Sequence, residues 1–186
     1  MNDEMLRAFE LLNSKLNDNN LYLDIVCVGG YVMHYYGFRA TADIDAFYES
    51  NQTINRLIYE VGDELGLNDR DEVWLNDSVS NLNSAPPERV RRPIYDMSNL
   101  KVPIVSLMYL FGMKIQSGRS RDRHDLAEIL LRENLDDPVA VYEEMLDLGF
   151  RSIDFSILLE AFNEAYGDEW MQNYFAEHQE ELFRYY

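Results

Sequence analysis

The chain has 186 residues, 47% of them hydrophobic and 13% aromatic, with 34 acidic against 16 basic residues and a formal net charge of −18. That apolar content excludes a chain meant to stay disordered, and the length suffices for one folded domain with a buried core. No stretch approaches the roughly 20 uninterrupted apolar residues that cross a bilayer, and Asn2-Asp3-Glu4 is the wrong start for a secretory signal, so a cytoplasmic protein with no membrane partner is expected.

Met5, Leu6, Phe9, Leu12 and Leu16 recur at three- and four-residue spacing, which predicts an amphipathic helix ended by Asn17-Asp18-Asn19-Asn20. Residues 21–28 read as a strand, Gly29-Gly30 as a tight turn, and residues 31–36 as a short helix stopped by Gly37. The single cysteine, Cys27, lies in the apolar run Ile25-Val26-Cys27-Val28. A disulfide framework is thereby excluded, and a buried structural thiol is expected there. Residues 43–48 alternate in character and predict a second strand, followed by a helix carrying Ile54, Leu57, Ile58, Val61 and Leu65.

The polar stretch 67–92, broken by Pro86-Pro87, predicts a short apolar piece at Val73-Trp74-Leu75 within an irregular loop. Residues 93–97 and 100–104 predict two short strands across a Ser98-Asn99 turn, with Pro103 placing the second at an edge or a strand end. Helical stripes follow at Leu107, Leu110, Phe111 and Ile115, then at Leu126, Ile129 and Leu130. Asp136-Asp137-Pro138 starts a further helix that Gly149 stops, and Phe155, Leu158, Leu159, Phe162 and Tyr166 form a last stripe. His34, His124 and His178 have no metal-ligand spacing and read as structural or surface residues.

Charge is unevenly distributed. Arg89, Arg91, Arg92, Lys101, Lys114, Arg119, Arg121 and Arg123 stand against only Asp96 and Asp122 between residues 89 and 123, and these eight are half of the chain's 16 cations. Both flanks are strongly acidic, which points to a local anion site rather than a broad nucleic-acid surface. The alternative is that these cations neutralise neighbouring acidic faces.

The chemistry concentrates at Asp43 and Asp45. Strand residues two apart share a face, so both carboxylates project together while Ile44 points to the core. Like charges that close repel unless a cation joins them, and oxygen ligands of this kind suit Mg2+ completed by substrate phosphates. Upstream, Gly29-Gly30 has no side chains and opens a helix, so its amides are placed to approach a phosphate.

Val28-Gly29-Gly30, twelve further residues and Asp43-Ile44-Asp45 together resemble the signature of the nucleotidyltransferase (polymerase-beta-like) superfamily. Arg39-x-Thr41-x-Asp43-x-Asp45 is similar to the sub-group of small bacterial proteins that includes the abortive-infection (AbiEii-type) toxin nucleotidyltransferases. The helix with Lys114 and the turn with Arg119, Arg121, Asp122 and Asp125 resemble a later segment of the same relatives. The resemblance spans about residues 25–130 and implies an α/β fold with a small mixed sheet of nucleotidyltransferase type and flanking helices, to which the apolar stripes beyond it add a C-terminal helical region. Residues 1–132 would form the core, and residues 133–186 an acidic helical region packed on it.

It also implies a magnesium-dependent enzyme that moves a nucleoside monophosphate from a nucleoside triphosphate to an acceptor hydroxyl on RNA, a protein or a small molecule, as in toxin–antitoxin or phage-defence systems. Asp43 and Asp45 would hold the metal; Gly29, Gly30, Arg39, Thr41 and Lys114 would bind the nucleotide; Asp122 would stand at or near the site. Active members carry a third acid on a neighbouring strand, for which Asp96 is the candidate and Asp77 the reserve. Lys114 and its turn also read as an exposed helix lysine beside a solvated charged turn. The rival reading is a catalytically silent relative that binds nucleotide, or a partner protein through its acidic C-terminal helices.

Overall fold

A computed structural model describes residues 3–69, 72–81 and 84–185. The chain forms two compact units, Met1–Ser106 and Leu107–Tyr186.

The first unit is α/β. It opens with α1 (Asp3–Asp18), whose Met5, Ala8, Phe9, Leu12 and Leu16 are buried along one stripe. The strands β1 (Leu23–Asp24) and β2 (Val26–Cys27), the helix α2 (Gly29–Tyr35) and the strand β3 (Ile44–Phe47) follow. Next comes α3 (Gln52–Leu65), capped at its start by the Asn51 side chain and closed by Gly66 in the left-handed region. The unit ends with β4 (Leu75–Asn76), β5 (Arg91–Asp96) and β6 (Leu100–Val105). The short apolar piece at 73–75 is anchored by Trp74, which is buried and donates its indole N–H to the Ile58 carbonyl at 2.9 Å. Residues 70–71 and 82–83 of the long loop lie outside the described residues.

These six strands make one mixed sheet. β6 pairs antiparallel with β5 on one side and parallel with both β1 and β2 on the other; β2 pairs antiparallel with β3, and β3 parallel with β4. The Pro103 strand is therefore interior to the sheet, not at its edge, and local bonding explains how a proline is tolerated there. The Ser106 N–H donates to the Val90 carbonyl and the Ile25 N–H to the Lys101 carbonyl, so alternate residues of β6 serve opposite neighbours. Pro103 falls on the Ile25 side. The next bond of that parallel ladder would run from residue 103 to the Ile25 carbonyl, and proline has no N–H to supply it. The ladder breaks there, dividing what reads as one strand into β1 and β2. The buried Cys27 thiol lies within weak hydrogen-bonding distance of the Ile25 carbonyl, 4.0 Å away.

The second unit is helical: α4 (Leu107–Ser117), a single 3-10 turn at Ser120–Asp122, α5 (Arg123–Glu133), α6 (Pro138–Leu148), α7 (Phe155–Tyr166) and α8 (Asp168–Leu182). α5 packs along α7, and α4 on both α5 and α6. Residues 107–133 thus pack with the later helices in this unit. Asp137 caps α6 with its side chain and also accepts from the Tyr174 hydroxyl at 2.8 Å, tying α8 to that corner. Phe162, Tyr166, Trp170, Tyr174 and His178 stack face to face in succession, joining α7 to α8 through one aromatic ladder. Among the described residues no helix is long and apolar enough to cross a membrane.

Candidate active site

Three sequence elements of the first unit meet at the turn between β2 and α2. The Val28 N–H donates to the Asp45 carbonyl at 2.9 Å, which holds the turn against β3. Gly29 has φ +60, and a Cβ on it would lie 2.8 Å from Asp45 Oδ2. A Cβ on Gly30 would lie 2.7 Å from Thr41 Oγ1. The Asp45 carboxylate and the Thr41 hydroxyl therefore rest against main chain that only glycine leaves uncovered.

Burial alternates through Asp43, Ile44 and Asp45: the two acids are half-exposed and the isoleucine between them is fully enclosed. This is the pleat expected of a strand with one face on the core. The Thr41 hydroxyl, 3.1 Å from Asp43 Oδ1, donates to that carboxylate and so limits its rotation. Thr41, expected to bind nucleotide, here positions an acid. Arg39 lies on the same loop, with Nη1 3.6 Å from the point a Gly30 Cβ would occupy.

Asp96 is not brought to this place. It pairs with Lys101 at one end of β6, while Cys27, just before the glycine turn, pairs with Ile104 at the other. Asp77 directly follows β4, and its charge acts on Tyr48, whose phenol is raised above its ordinary range chiefly by burial and secondarily by that carboxylate. The strand neighbour in register with Asp45 is Asn76, whose amide oxygen accepts from Ser78. On the other side, the residue bonded to the Asp45 main chain is Val28. Neither flank offers a carboxylate. Among the described residues no group of three or more His, Cys, Asp or Glu side chains is arranged to hold a metal.

The remaining expected residues, Lys114 and Asp122, cluster with Asp125 within the helical unit. Lys114, on α4, is only 8% exposed. Its ammonium lies 2.6 Å from Asp122 Oδ1 and 2.7 Å from Asp125 Oδ2, and Ser117 Oγ is 3.3 Å from Asp122 Oδ2. Both carboxylates sit at the N-terminal end of α5, where the helix dipole favours negative charge. The lysine is thus neither an exposed helix lysine nor beside a solvated turn: it neutralises two buried acids. Arg123 likewise pairs with Glu160 at 2.6 Å, while Arg92 donates to the Tyr36 hydroxyl at 3.3 Å. At Lys114 and Arg123 the basic segment does what the neutralising alternative describes.

One feature of the first unit gave no signal in the sequence beyond the density of tyrosines after Gly30. A cleft of about 610 Å3 lies between α1, α2 and β5, walled by Tyr31, His34, Tyr35 and Tyr95, with Met5 at one side and Arg39 at its rim. Tyr31 is buried and stacks with His34 at a 6.3 Å centroid separation. Burial, chiefly, raises the Tyr31 and Tyr95 phenols, which therefore stay protonated at neutral pH.

Residues 3–147 match a family model described as "Nucleotidyltransferase of unknown function (DUF6036)". The chain belongs to that family. No curated protein and no solved structure matches it significantly. Both the glycine turn with Asp43 and Asp45 and the Lys114 cluster fall inside the matched span of this nucleotidyltransferase-family chain. Its donor set also fits a magnesium ion on chemical grounds. Mg2+ takes one or two carboxylates from a protein and the rest of its shell from water and phosphate, and Asp43 and Asp45 provide that number.

Proposed function

We propose that the chain transfers a nucleoside monophosphate from a nucleoside triphosphate to an acceptor hydroxyl, using the Asp43/Asp45 turn. The observation that carries this reading is the contact of Gly29 with Asp45. A carboxylate against a glycine with no room for a Cβ brings acid and amide backbone close enough to share one triphosphate. Asp43 and Asp45 would hold Mg2+, which supplies charge neutralisation on the phosphates and on the leaving pyrophosphate. Thr41 holds the Asp43 carboxylate in one orientation, and Gly29 and Gly30 let Asp45 and Thr41 close on the main chain of the turn. The acceptor oxygen forms a bond to the α-phosphorus, and the bond from that phosphorus to the bridging oxygen breaks, releasing pyrophosphate. The acceptor's proton has no third carboxylate in register with Asp45 to receive it, so it passes to the pair itself or to solvent.

The acceptor is an RNA end, a protein side chain or a small molecule, within a toxin–antitoxin or phage-defence role of the kind the sequence resemblance implies. The exposed arginines Arg119 and Arg121 favour an anionic acceptor, and the acidic C-terminal helices a basic partner protein. The test is incubation with each α-labelled nucleoside triphosphate, magnesium and total cell extract. Transfer of label to a macromolecule or to a small molecule separable from the triphosphate supports the reading, and the absence of any such transfer with all four triphosphates contradicts it.

Asn76, in the position beside Asp45, favours a second reading: a nucleotide-binding relative without turnover. That reading is met by magnesium-dependent triphosphate binding with no label transferred.

A further inference from the structure

We infer that the tyrosine-walled cleft between α1, α2 and β5 binds the heteroaromatic base of a nucleotide, with Arg39 at its rim holding that nucleotide's phosphate. The inference rests on the nucleotidyl-transfer reading and adds to it where a base is recognised. A cleft of about 610 Å3 suits a nucleoside-sized ligand. Its lining carries four aromatic rings, Tyr31, His34, Tyr35 and Tyr95, of which the half-exposed Tyr35 offers a ring for a base to stack on.

Arg39 connects the cleft to the site already described. Arg39 lines the cleft, and its Nη1 lies 3.6 Å from the point where a Gly30 side chain would begin. A planar cation there suits a phosphate oxygen on a ligand whose base occupies the cleft. In a chain of net charge −18, that local cation also distinguishes this cleft from surfaces that repel anions. Tyr35 is the residue to change, because it is half-exposed at the cleft, whereas Tyr31 is part of the buried core.

The base belongs either to the donor triphosphate or to a nucleotide acceptor, and one experiment with two arms separates these. In the first arm, AMP, GMP, CMP, UMP and their nucleosides are titrated without metal, in chelator, against wild type, Tyr35→Ala, Tyr35→Phe, Arg39→Ala and the Asp43→Asn/Asp45→Asn double variant. At least one mononucleotide is expected to bind. Its affinity falls about tenfold or more in Tyr35→Ala and is largely kept in Tyr35→Phe, which retains the ring. In Arg39→Ala the preference for the mononucleotide over its nucleoside disappears. The double variant keeps the metal-free binding, so failure of the metal site and failure of the cleft are read separately. No binding by any mononucleotide at millimolar concentration, or equal affinity in wild type and Tyr35→Ala with circular dichroism unchanged, overturns the inference. In the second arm, magnesium triphosphate affinity is compared in wild type and Tyr35→Ala: a loss assigns the base to the donor, and no change assigns it to the acceptor.

Discussion

At the scale of single residues, Gly29 joins backbone geometry to chemistry. Its left-handed φ and its 2.8 Å clearance to Asp45 are separate constraints, and Gly66 isolates the first, with φ +68 and nothing within 4 Å of its absent Cβ. Gly29→Ala and Gly66→Ala should each cost about 1–2 kcal/mol in urea unfolding from the strained φ. Only Gly29→Ala should also weaken magnesium-dependent triphosphate binding, by displacing the carboxylate. Equal binding in the two variants would show that the clearance is incidental.

Lys114 gives a prediction of a different kind. Lys114→Met leaves Asp122 and Asp125 buried without their cation and should cost about 3–5 kcal/mol, measured by denaturant unfolding. Wild-type stability in that variant would show that the ion cluster does not support the helical unit. The sequence discloses Asp43 and Asp45 because strand alternation is a local pattern. It does not disclose that Asn76 stands beside Asp45, nor that Asp96 lies at the other end of β6, because pairing across a sheet depends on which strands meet. Lys114 shows the same limit, since its partners become visible only once α4 and α5 are packed.

At the scale of elements, the helices are written in their apolar stripes and caps, and α1, α3, α6 and α7 lie close to where periodicity, Asp137 and Gly149 place them. The strands are harder. β6 is apolar enough for the interior, yet Pro103 argues for an edge, and the molecule reconciles the two by interrupting the neighbouring ladder at Ile25. Cys27 then contributes a weak donor to a carbonyl that Pro103 does not serve. Cys27→Ala should lower stability by about 1–2 kcal/mol, from lost packing and the lost contact together. In a Pro103→Val background, where residue 103 can donate, the same substitution should cost less. Equal costs in the two backgrounds, measured as a double-mutant cycle, would detach the thiol from the break in the ladder.

At the scale of the whole molecule, composition and patterning suffice for an α/β protein with a helical C-terminal part, but not for where one unit ends. That limit is set by helix-on-helix packing, and the sequence marks the Ser106/Leu107 junction with no linker. Alkaline pH tests the burial that the fold imposes. Burial raises Cys27, Tyr31 and Tyr48 above their ordinary values, so the folded state favours their neutral forms. Their contribution is complete below the unfolded-state values, near pH 9 for the thiol and pH 10 for the phenols, and is lost as pH rises beyond them. Each group removes about 1.4 kcal/mol per pH unit once its unfolded form ionises. Thermal unfolding followed from pH 8 to 11 should therefore show Tm falling steeply above pH 10, and less steeply in Tyr48→Phe. An identical slope in that variant would exclude Tyr48 from the effect.

Asp43 and Asp45 are proposed to form a magnesium site for a nucleoside triphosphate. The most direct measurement is triphosphate affinity with and without magnesium, in wild type and in Asp43→Asn/Asp45→Asn, with circular dichroism to confirm that both are folded. Removing two neighbouring like charges relieves repulsion in the metal-free protein, so the double variant should be at least as stable as wild type. It should lose the magnesium-dependent part of triphosphate binding altogether. A folded double variant that binds triphosphate with the magnesium dependence of wild type would contradict the account.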